Sequence, residues 1–198
     1  MGLQKQAKTL NRKQIELVYV YLGTTRNSIR NQTIFLLSVK AGLRAKEIAG
    51  ITWSMVADAD GKIADFIKLT NVASKGNSGR IIPINRQLKS KLIELNDLER
   101  NRYHYNISSR VIQTERAIAT SPQVIVNLFK GWYSDLGLIG CSSHSGRRTF
   151  VTNAAKRIST VGGSLRDVQY LAGHSSLQTT QRYIEGDSAA QSKIVDLI

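Results

Sequence analysis

Residues 144–150 read HSGRRTF, residues 171–174 read LAGH, and Tyr183 follows nine residues after the histidine of the second segment. Two earlier segments carry related groups, AGLR at residues 41–44 and SKG at residues 74–76. If the fold brings these segments together, one site holds two guanidinium groups, one ammonium, two imidazoles and a phenol. We expect such a convergence.

This set of groups suits a phosphodiester. Arginine forks can bind both non-bridging oxygens and neutralise the charge that develops in a five-coordinate transition state. A phenol can act as the nucleophile and store the bond energy in a covalent intermediate. A lysine on a hairpin can give a proton to the departing oxygen.

The charge of the chain also favours a polyanionic partner. The 198 residues contain 28 Lys and Arg against 14 Asp and Glu, a formal net charge of +14. Such a surplus of positive charge attracts polyanions, of which nucleic acid is the commonest. Cys141 is the only cysteine, no apolar run is long enough to cross a membrane, and residues 1–14 lack the apolar region of a signal peptide. We therefore expect a cytoplasmic, nucleoid-associated protein with no membrane partner.

The spacing of apolar and turn-forming residues along the chain predicts one α+β domain, mainly α, with a small antiparallel sheet. Helices are predicted over residues 11–23 and 27–41, after Leu43, over 86–103, from Ser121, and three or four times after Gly146. Strands are predicted over residues 53–56, 63–69 and 81–84, the first two joined by a turn at Asp60-Gly61. Lys75 is expected near the tip of the hairpin between the last two strands.

In order and spacing, the motifs resemble the catalytic domain of the tyrosine recombinases, or phage integrase family. The resemblance runs from about Asn11 to Ile184 and includes Gly42-Leu-Arg44 with Glu47, Lys75, the His-x-x-Arg pair His144 and Arg147, Gly173-His174, and Tyr183. One such motif is weak evidence, but the complete ordered set is specific.

The resemblance implies a site-specific DNA recombinase that cleaves and rejoins double-stranded DNA without a metal or cofactor. Arg44 and Arg147 would hold the scissile phosphate, and His174 would donate a further hydrogen bond to it. Tyr183 would attack to form a 3′-phosphotyrosyl link. Lys75 would protonate the leaving 5′ oxygen, and His144 would assist proton movement at the tyrosine. Glu47 would orient the site.

Two departures from the family pattern stand out. The motif often reads His-x-x-Arg-His, and Arg148 occupies its last position here. The family also usually has a core-binding domain before the catalytic one, whereas only about ten residues precede the first predicted helix. We therefore expect the catalytic domain to span residues 1–198 without that domain, either as a small single-domain recombinase or with an accessory DNA-binding protein.

The family further implies a homo-tetramer on two DNA sites. The tail at residues 187–198 ends in apolar residues and is either packed on its own domain or exchanged with the neighbouring protomer. Two other functions stay open: a catalytically silent DNA-binding or architectural protein on this fold, and a type IB topoisomerase that relaxes supercoils. A zinc site from Cys141, His144 and His174 lacks a fourth ligand at a telling spacing, so we predict no metal.

Overall fold

The computed structural model describes residues 6–73, 78–100, 106–114, 119–183 and 195–196. Within these ranges, two strands pair in one sheet and helices make up most of the regular structure, as predicted. The helices are α1 (Arg12–Gly23), α2 (Ser28–Val39), α3 (Ala45–Gly50), α4 (Arg86–Arg100), α5 (Pro122–Asp135), α6 (Ser145–Arg157), α7 (Leu165–Ala172) and α8 (Leu177–Gln181). The strands are β1 (Phe66–Leu69) and β2 (Arg80–Pro83).

The predicted helix starts are confirmed where the sequence supplies a cap. Asn11 caps α1, and its side chain accepts from the Gln14 backbone N–H while the Gln14 side chain accepts from the Asn11 N–H, each at 2.9 Å. Ser121 caps α5, which continues with Pro122 in its first turn. These side chains satisfy backbone donors that a helix end leaves without partners.

The strand predicted over residues 53–56 is wrong. Trp53–Met55 is a 3-10 turn, and both Trp53 and Val56 are fully buried. Residues three apart lie on the same side of a 3-10 helix, so their burial needs no strand. The strand predicted over 63–69 is shortened to Phe66–Leu69, because Ile63 makes only an isolated bridge to Ala57 across the turn.

The predicted hairpin forms between β1 and β2, which pair antiparallel with Leu69 opposite Arg80 and Phe66 opposite Pro83. Ile67 and Ile82 point inward as a buried cross-strand pair. Arg80 is also on the inward face and is 5% exposed. Lys75 lies outside the described residues.

The hydrophobic core surrounds α2, whose residues 31–39 are all buried. This helix contacts α1, α3, α4 and α6. A smaller apolar cluster lies between α6 and α7, where Val151, Val168 and Ala172 are buried and Tyr183 packs against them. No helix in the described part of the chain is both long and apolar enough to cross a bilayer.

Residues 6–10 form a strap along the start of α6. The Lys8 N–H donates to the Gly140 carbonyl at 3.0 Å, and the Leu10 N–H donates to the Thr149 hydroxyl at 2.8 Å. Arg148 donates through Nη1 to the Ala7 carbonyl at 3.0 Å. The strap is therefore fixed to α6 at both of its ends.

Gly146 is required where α6 crosses α2. A Cβ at this position would overlap the Ser38 Oγ and lie 2.9 Å from the Ser38 Cβ. We predict that Gly146→Ala lowers the free energy of unfolding by about 1–3 kcal/mol, because the two helices must move apart. Urea denaturation followed by circular dichroism measures the change.

Gly131→Ala is the matched control, since this glycine also lies within a helix and a Cβ there has nothing within 4 Å. Alanine at that position should raise the free energy of unfolding by up to about 1 kcal/mol. Equal effects of the two substitutions would contradict the proposed close contact between α2 and α6.

Candidate active site

Arg44 and Glu47 are held together by the start of α3. The Glu47 carboxylate accepts from the Arg44 backbone N–H at 2.7 Å and from its Nη1 at 3.0 Å. Glu47 is fully buried, whereas about a quarter of the Arg44 side chain is exposed. The carboxylate thus fixes both the helix start and the direction of the arginine.

Arg80 is the second partner of Glu47. Its Nη1 lies 2.9 Å from Oε1 and its Nη2 lies 3.2 Å from Oε2, so the contact is bidentate. Its Nε donates to the Leu171 carbonyl at 2.8 Å. The sequence motifs did not identify Arg80 as a site residue. The available signal was its place on the same strand face as the apolar Ile82, since a cation on that face needs a buried partner.

The electrostatic environment keeps Glu47 ionised. Burial alone raises the pKa of this carboxyl, but the hydrogen bond and charge of Arg80, together with the backbone hydrogen bond and charge of Arg44, outweigh it and hold the pKa below its ordinary value. A buried carboxylate with two guanidinium partners satisfies the requirement that internal charges be paired.

Arg147 lies on the first turns of α6 and is 4% exposed. Its Nη1 donates to the Gly42 carbonyl at 2.7 Å and its Nη2 to the Ala172 carbonyl at 2.6 Å. Burial, reinforced by the charge of Arg44, lowers its pKa to about 10, so the group remains charged at neutral pH. The two carbonyls fix the orientation of the guanidinium.

His174 follows the end of α7. Gly173 closes that helix in the left-handed conformation, with φ +62°, and a Cβ there would lie 2.9 Å from Arg80 Nη1. Glycine is therefore needed both for the turn and for the close approach of the arginine. Burial, followed by the charges of Arg147, Arg44 and Arg80, lowers the pKa of His174 to about 4. The imidazole is neutral at pH 7.

Tyr183 stacks on His174. The ring centroids are 5.6 Å apart, with an angle of 17° between the planes. The Tyr183 backbone N–H donates to the Thr180 carbonyl at 3.1 Å, just beyond α8, and the half-buried side chain packs against the small cluster between α6 and α7. These contacts restrict where the phenol can lie.

These side chains meet at one open cavity of about 460 Å³. Five of the predicted site residues line it: Arg44, His144, Arg147, His174 and Tyr183. Glu47 lies behind Arg44, and Lys75 is outside the described residues. The strap contributes Gln6 and Ala7, and two arginines that sequence reasoning did not select, Arg148 and Arg182, also line the cavity. No carboxylate belongs to this lining among the described residues.

The cavity suits an anion rather than a metal ion. Within the described ranges, no three His, Cys, Asp or Glu residues are grouped so that they could hold a metal. The zinc alternative from Cys141, His144 and His174 is therefore not supported by their placement. Guanidinium groups without a competing carboxylate favour a phosphate, which Arg binds through paired donors.

Comparison with known proteins places the chain in a family. The model of the phage integrase family matches residues 8–189. The chain belongs to the phage integrase family. Its curated relatives include tyrosine recombinase XerD of Lacticaseibacillus casei, 29% identical over 186 residues that cover 88% of this chain and 57% of that protein. Tyrosine recombinase XerA of Thermococcus onnurineus is 29% identical over 178 residues, which cover 89% of this chain and 57% of that protein.

Solved structures support the phage integrase fold. A crystal structure of XerA recombinase aligns with a TM-score of 0.75 at 20% identity, covering 96% of this chain and 64% of that one. XerH recombinase bound to a palindromic difH substrate in a post-cleavage complex aligns with a TM-score of 0.73 at 18% identity. The alignment covers 94% of this chain and 51% of the XerH chain. This phage integrase family chain spans a little over half the length of the XerD and XerA relatives that it matches.

In this member of the phage integrase family, the ion pairs of Glu47 predict that removal of its carboxylate lowers stability. We expect Glu47→Gln to lower the free energy of unfolding at pH 7 by about 3–5 kcal/mol, because the buried Arg80 loses its countercharge. Asp65→Asn is the control: its carboxylate pairs with Lys89 but is 78% exposed, so its removal should change stability by about 1 kcal/mol or less.

The lowered pKa of Glu47 also predicts how the free energy of unfolding depends on pH. The pKa of Glu47 is lower in the folded than in the unfolded state, so its contribution is fully present above the ordinary carboxyl pKa of about 4.3 and is lost as pH falls below it. The parent should therefore lose stability more steeply than Glu47→Gln below about pH 5. Urea titrations across this range measure both slopes, and parallel slopes would show that Glu47 is not the paired carboxylate described here.

Proposed function

We propose that this protein is a site-specific DNA recombinase that cuts and rejoins DNA strands through a 3′-phosphotyrosyl intermediate. The observation that carries the proposal is the convergence of Arg44, Arg147, His174 and Tyr183 on one cavity without a lining carboxylate. The tyrosine recombinases among its relatives support the same reaction class.

Arg44 and Arg147 are the residues that we assign to the scissile phosphate. Glu47 and two backbone carbonyls already fix their guanidinium groups, so little reorganisation is needed when the anion arrives. Fixed donors of this kind stabilise developing charge better than mobile water does. Glu47 is assigned as the residue that orients Arg44.

Tyr183 is the assigned nucleophile. Its Oη attacks phosphorus, the bond from phosphorus to the 5′ oxygen breaks, and the strand leaves as a 5′ hydroxyl. The phenolic proton passes to solvent water with the assistance of His144, and Lys75 supplies the proton to the leaving oxygen. The reverse reaction with a 5′ hydroxyl of another strand reseals the DNA and frees the tyrosine, so no cofactor is consumed.

Double-stranded DNA is the proposed substrate. The net charge of +14 and the four arginines at the cavity favour a phosphate backbone. The solved relatives include XerH bound to its difH substrate and a lambda integrase dimer bound to a core site. We further propose a homo-tetramer on two DNA sites, with assembly on DNA together with an accessory DNA-binding protein as the alternative.

Covalent trapping tests the nucleophile. We expect the protein to form a denaturant-resistant adduct with nicked duplex substrates drawn from DNA that flanks its gene, without added magnesium. Tyr183→Phe should form no detectable adduct, because it lacks the attacking oxygen. Gel electrophoresis in SDS measures the adduct, and sequencing of the trapped strand locates the cleavage site.

Tyr170→Phe is the matched control, since Tyr170 is a largely exposed tyrosine on the nearby α7. It should form the adduct at the parent level. An adduct that persists in Tyr183→Phe would contradict the assignment of the nucleophile. Salt-sensitive DNA binding without any adduct in the parent would favour the catalytically silent DNA-binding protein instead.

Deletion of the chain after Gly186 tests the tail. If residues 187–198 are exchanged between protomers of a tetramer, the truncated protein should lose synapsis of two DNA sites while retaining the covalent adduct. Native gel electrophoresis with two labelled DNA fragments of different length measures synapsis. Synapsis that survives the deletion would mean that the tail does not join the protomers.

A further inference from the structure

The hydroxyl of Thr180 contacts His174 directly. Thr180 lies on α8 and is fully buried, and its Oγ1 is 2.9 Å from Nδ1 of His174. Within the described part of the chain, this is the only side-chain hydrogen bond that either residue makes. Because Nδ1 is engaged with a buried group, Nε2 is the ring nitrogen that remains for a ligand in the cavity.

The direction of this hydrogen bond follows from counting protons. A threonine hydroxyl can donate one proton, and a neutral imidazole carries a proton on only one of its nitrogens. If Nδ1 donated, the Thr180 proton would be buried without an acceptor, at a cost of about 1–3 kcal/mol. If the hydroxyl donates, Nδ1 accepts and every polar hydrogen of the pair is used, because the ring proton then lies on Nε2.

The surroundings keep the ring in the neutral form in which this choice matters. The charged groups that act on the imidazole are Arg147, Arg44 and Arg80, which are all cationic. One face of the imidazole ring stacks on the Tyr183 ring. Burial and these charges disfavour the imidazolium. His174 is therefore one of two neutral tautomers, and its single exposed hydrogen-bonding position is either a donor or an acceptor.

We infer that Thr180 is a positioning residue whose hydroxyl donates to Nδ1 of His174 and thereby holds the imidazole proton on Nε2, where it can be donated to a phosphoryl oxygen. The last step rests on the proposed function. In the other tautomer, Nε2 presents a lone pair to the phosphate, which repels it. The hydroxyl thus decides whether His174 stabilises or opposes the developing charge.

Nitrogen-15 NMR tests the tautomer without any substrate. The chain has three histidines, and comparison with His174→Gln assigns the signals of His174. The long-range correlations of the ring protons distinguish the protonated from the unprotonated nitrogen. We expect Nε2 to be protonated in the parent and in Thr180→Ser, which keeps a donor. Thr180→Val, which has the same shape but no donor, should show a shifted or mixed tautomer.

Single-turnover cleavage of the nicked substrate tests the consequence. Thr180→Val should lower the cleavage rate constant about 10- to 100-fold, by analogy with the loss seen when the hydrogen-bond partner that orients a metal-ligating histidine is removed. Its Kd for DNA should stay within about twofold, and Thr180→Ser should restore most of the rate. Thr160→Val, the same change at an exposed threonine whose hydroxyl bonds a backbone carbonyl, is the control.

The outcomes separate this inference from the proposed function. A proton on Nδ1 in the parent, or a Thr180→Val protein that keeps both the parent tautomer and the parent rate, overturns the role of Thr180. If the parent shows the Nε2 proton and Thr180→Val loses it, the hydrogen bond is as described. Absence of cleavage in that same parent protein would overturn the proposed recombinase activity and not the tautomer assignment.

Discussion

The candidate site depends on the ion pairs that the buried Glu47 carboxylate makes with Arg44 and Arg80. No described carboxylate lines the cavity itself, so this one negative charge behind it keeps Arg44 and Arg80 close to each other and to Arg147. Without it, the mutual repulsion of the guanidinium groups would act unopposed in a region of low dielectric constant. Both ends of the pair with Arg80 are buried, so water cannot replace either partner.

Arg147 joins the two apolar parts of the molecule. One of its carbonyl partners, on Gly42, follows the central helix α2, and the other, on Ala172, belongs to the small cluster that supports Tyr183. The same guanidinium therefore holds the cavity wall and connects the helix pair α6 and α7 to the main core. Arg80 makes a parallel connection from the hairpin, through the Leu171 carbonyl. The geometry of the candidate site and the tertiary structure therefore depend on the same hydrogen bonds.

The sequence predicted the parts of the fold that local chemistry determines. The caps at Asn11 and Ser121 have their partners within three residues, and they occur as expected. The ordered motifs also predicted which groups would meet, and Arg44, Arg147 and Tyr183 do line one cavity. The segment at Trp53 was misassigned, because burial of Trp53 and Val56 fits a 3-10 turn as well as a strand.

Residues whose role depends on tertiary placement were not predicted. Arg80 meets Glu47 only because the hairpin register turns it inward, and a shift by one residue would have turned it to solvent. Thr180 meets His174 because α8 packs against α7, a tertiary contact that no local sequence pattern predicts. The six-residue separation of Thr180 and His174 in the sequence does not by itself indicate a contact.

The strap at residues 6–10 has a practical consequence for anyone who handles the protein. Arg148 holds Ala7 at the rim of the cavity, and Gln6 lines the same opening. A fluorescent label attached at Gln6 or Ala7 consequently lies at the opening of the cavity. An acidic group introduced there would compete with a nucleic-acid ligand for the same arginines, so these two positions are poor attachment points for any affinity measurement.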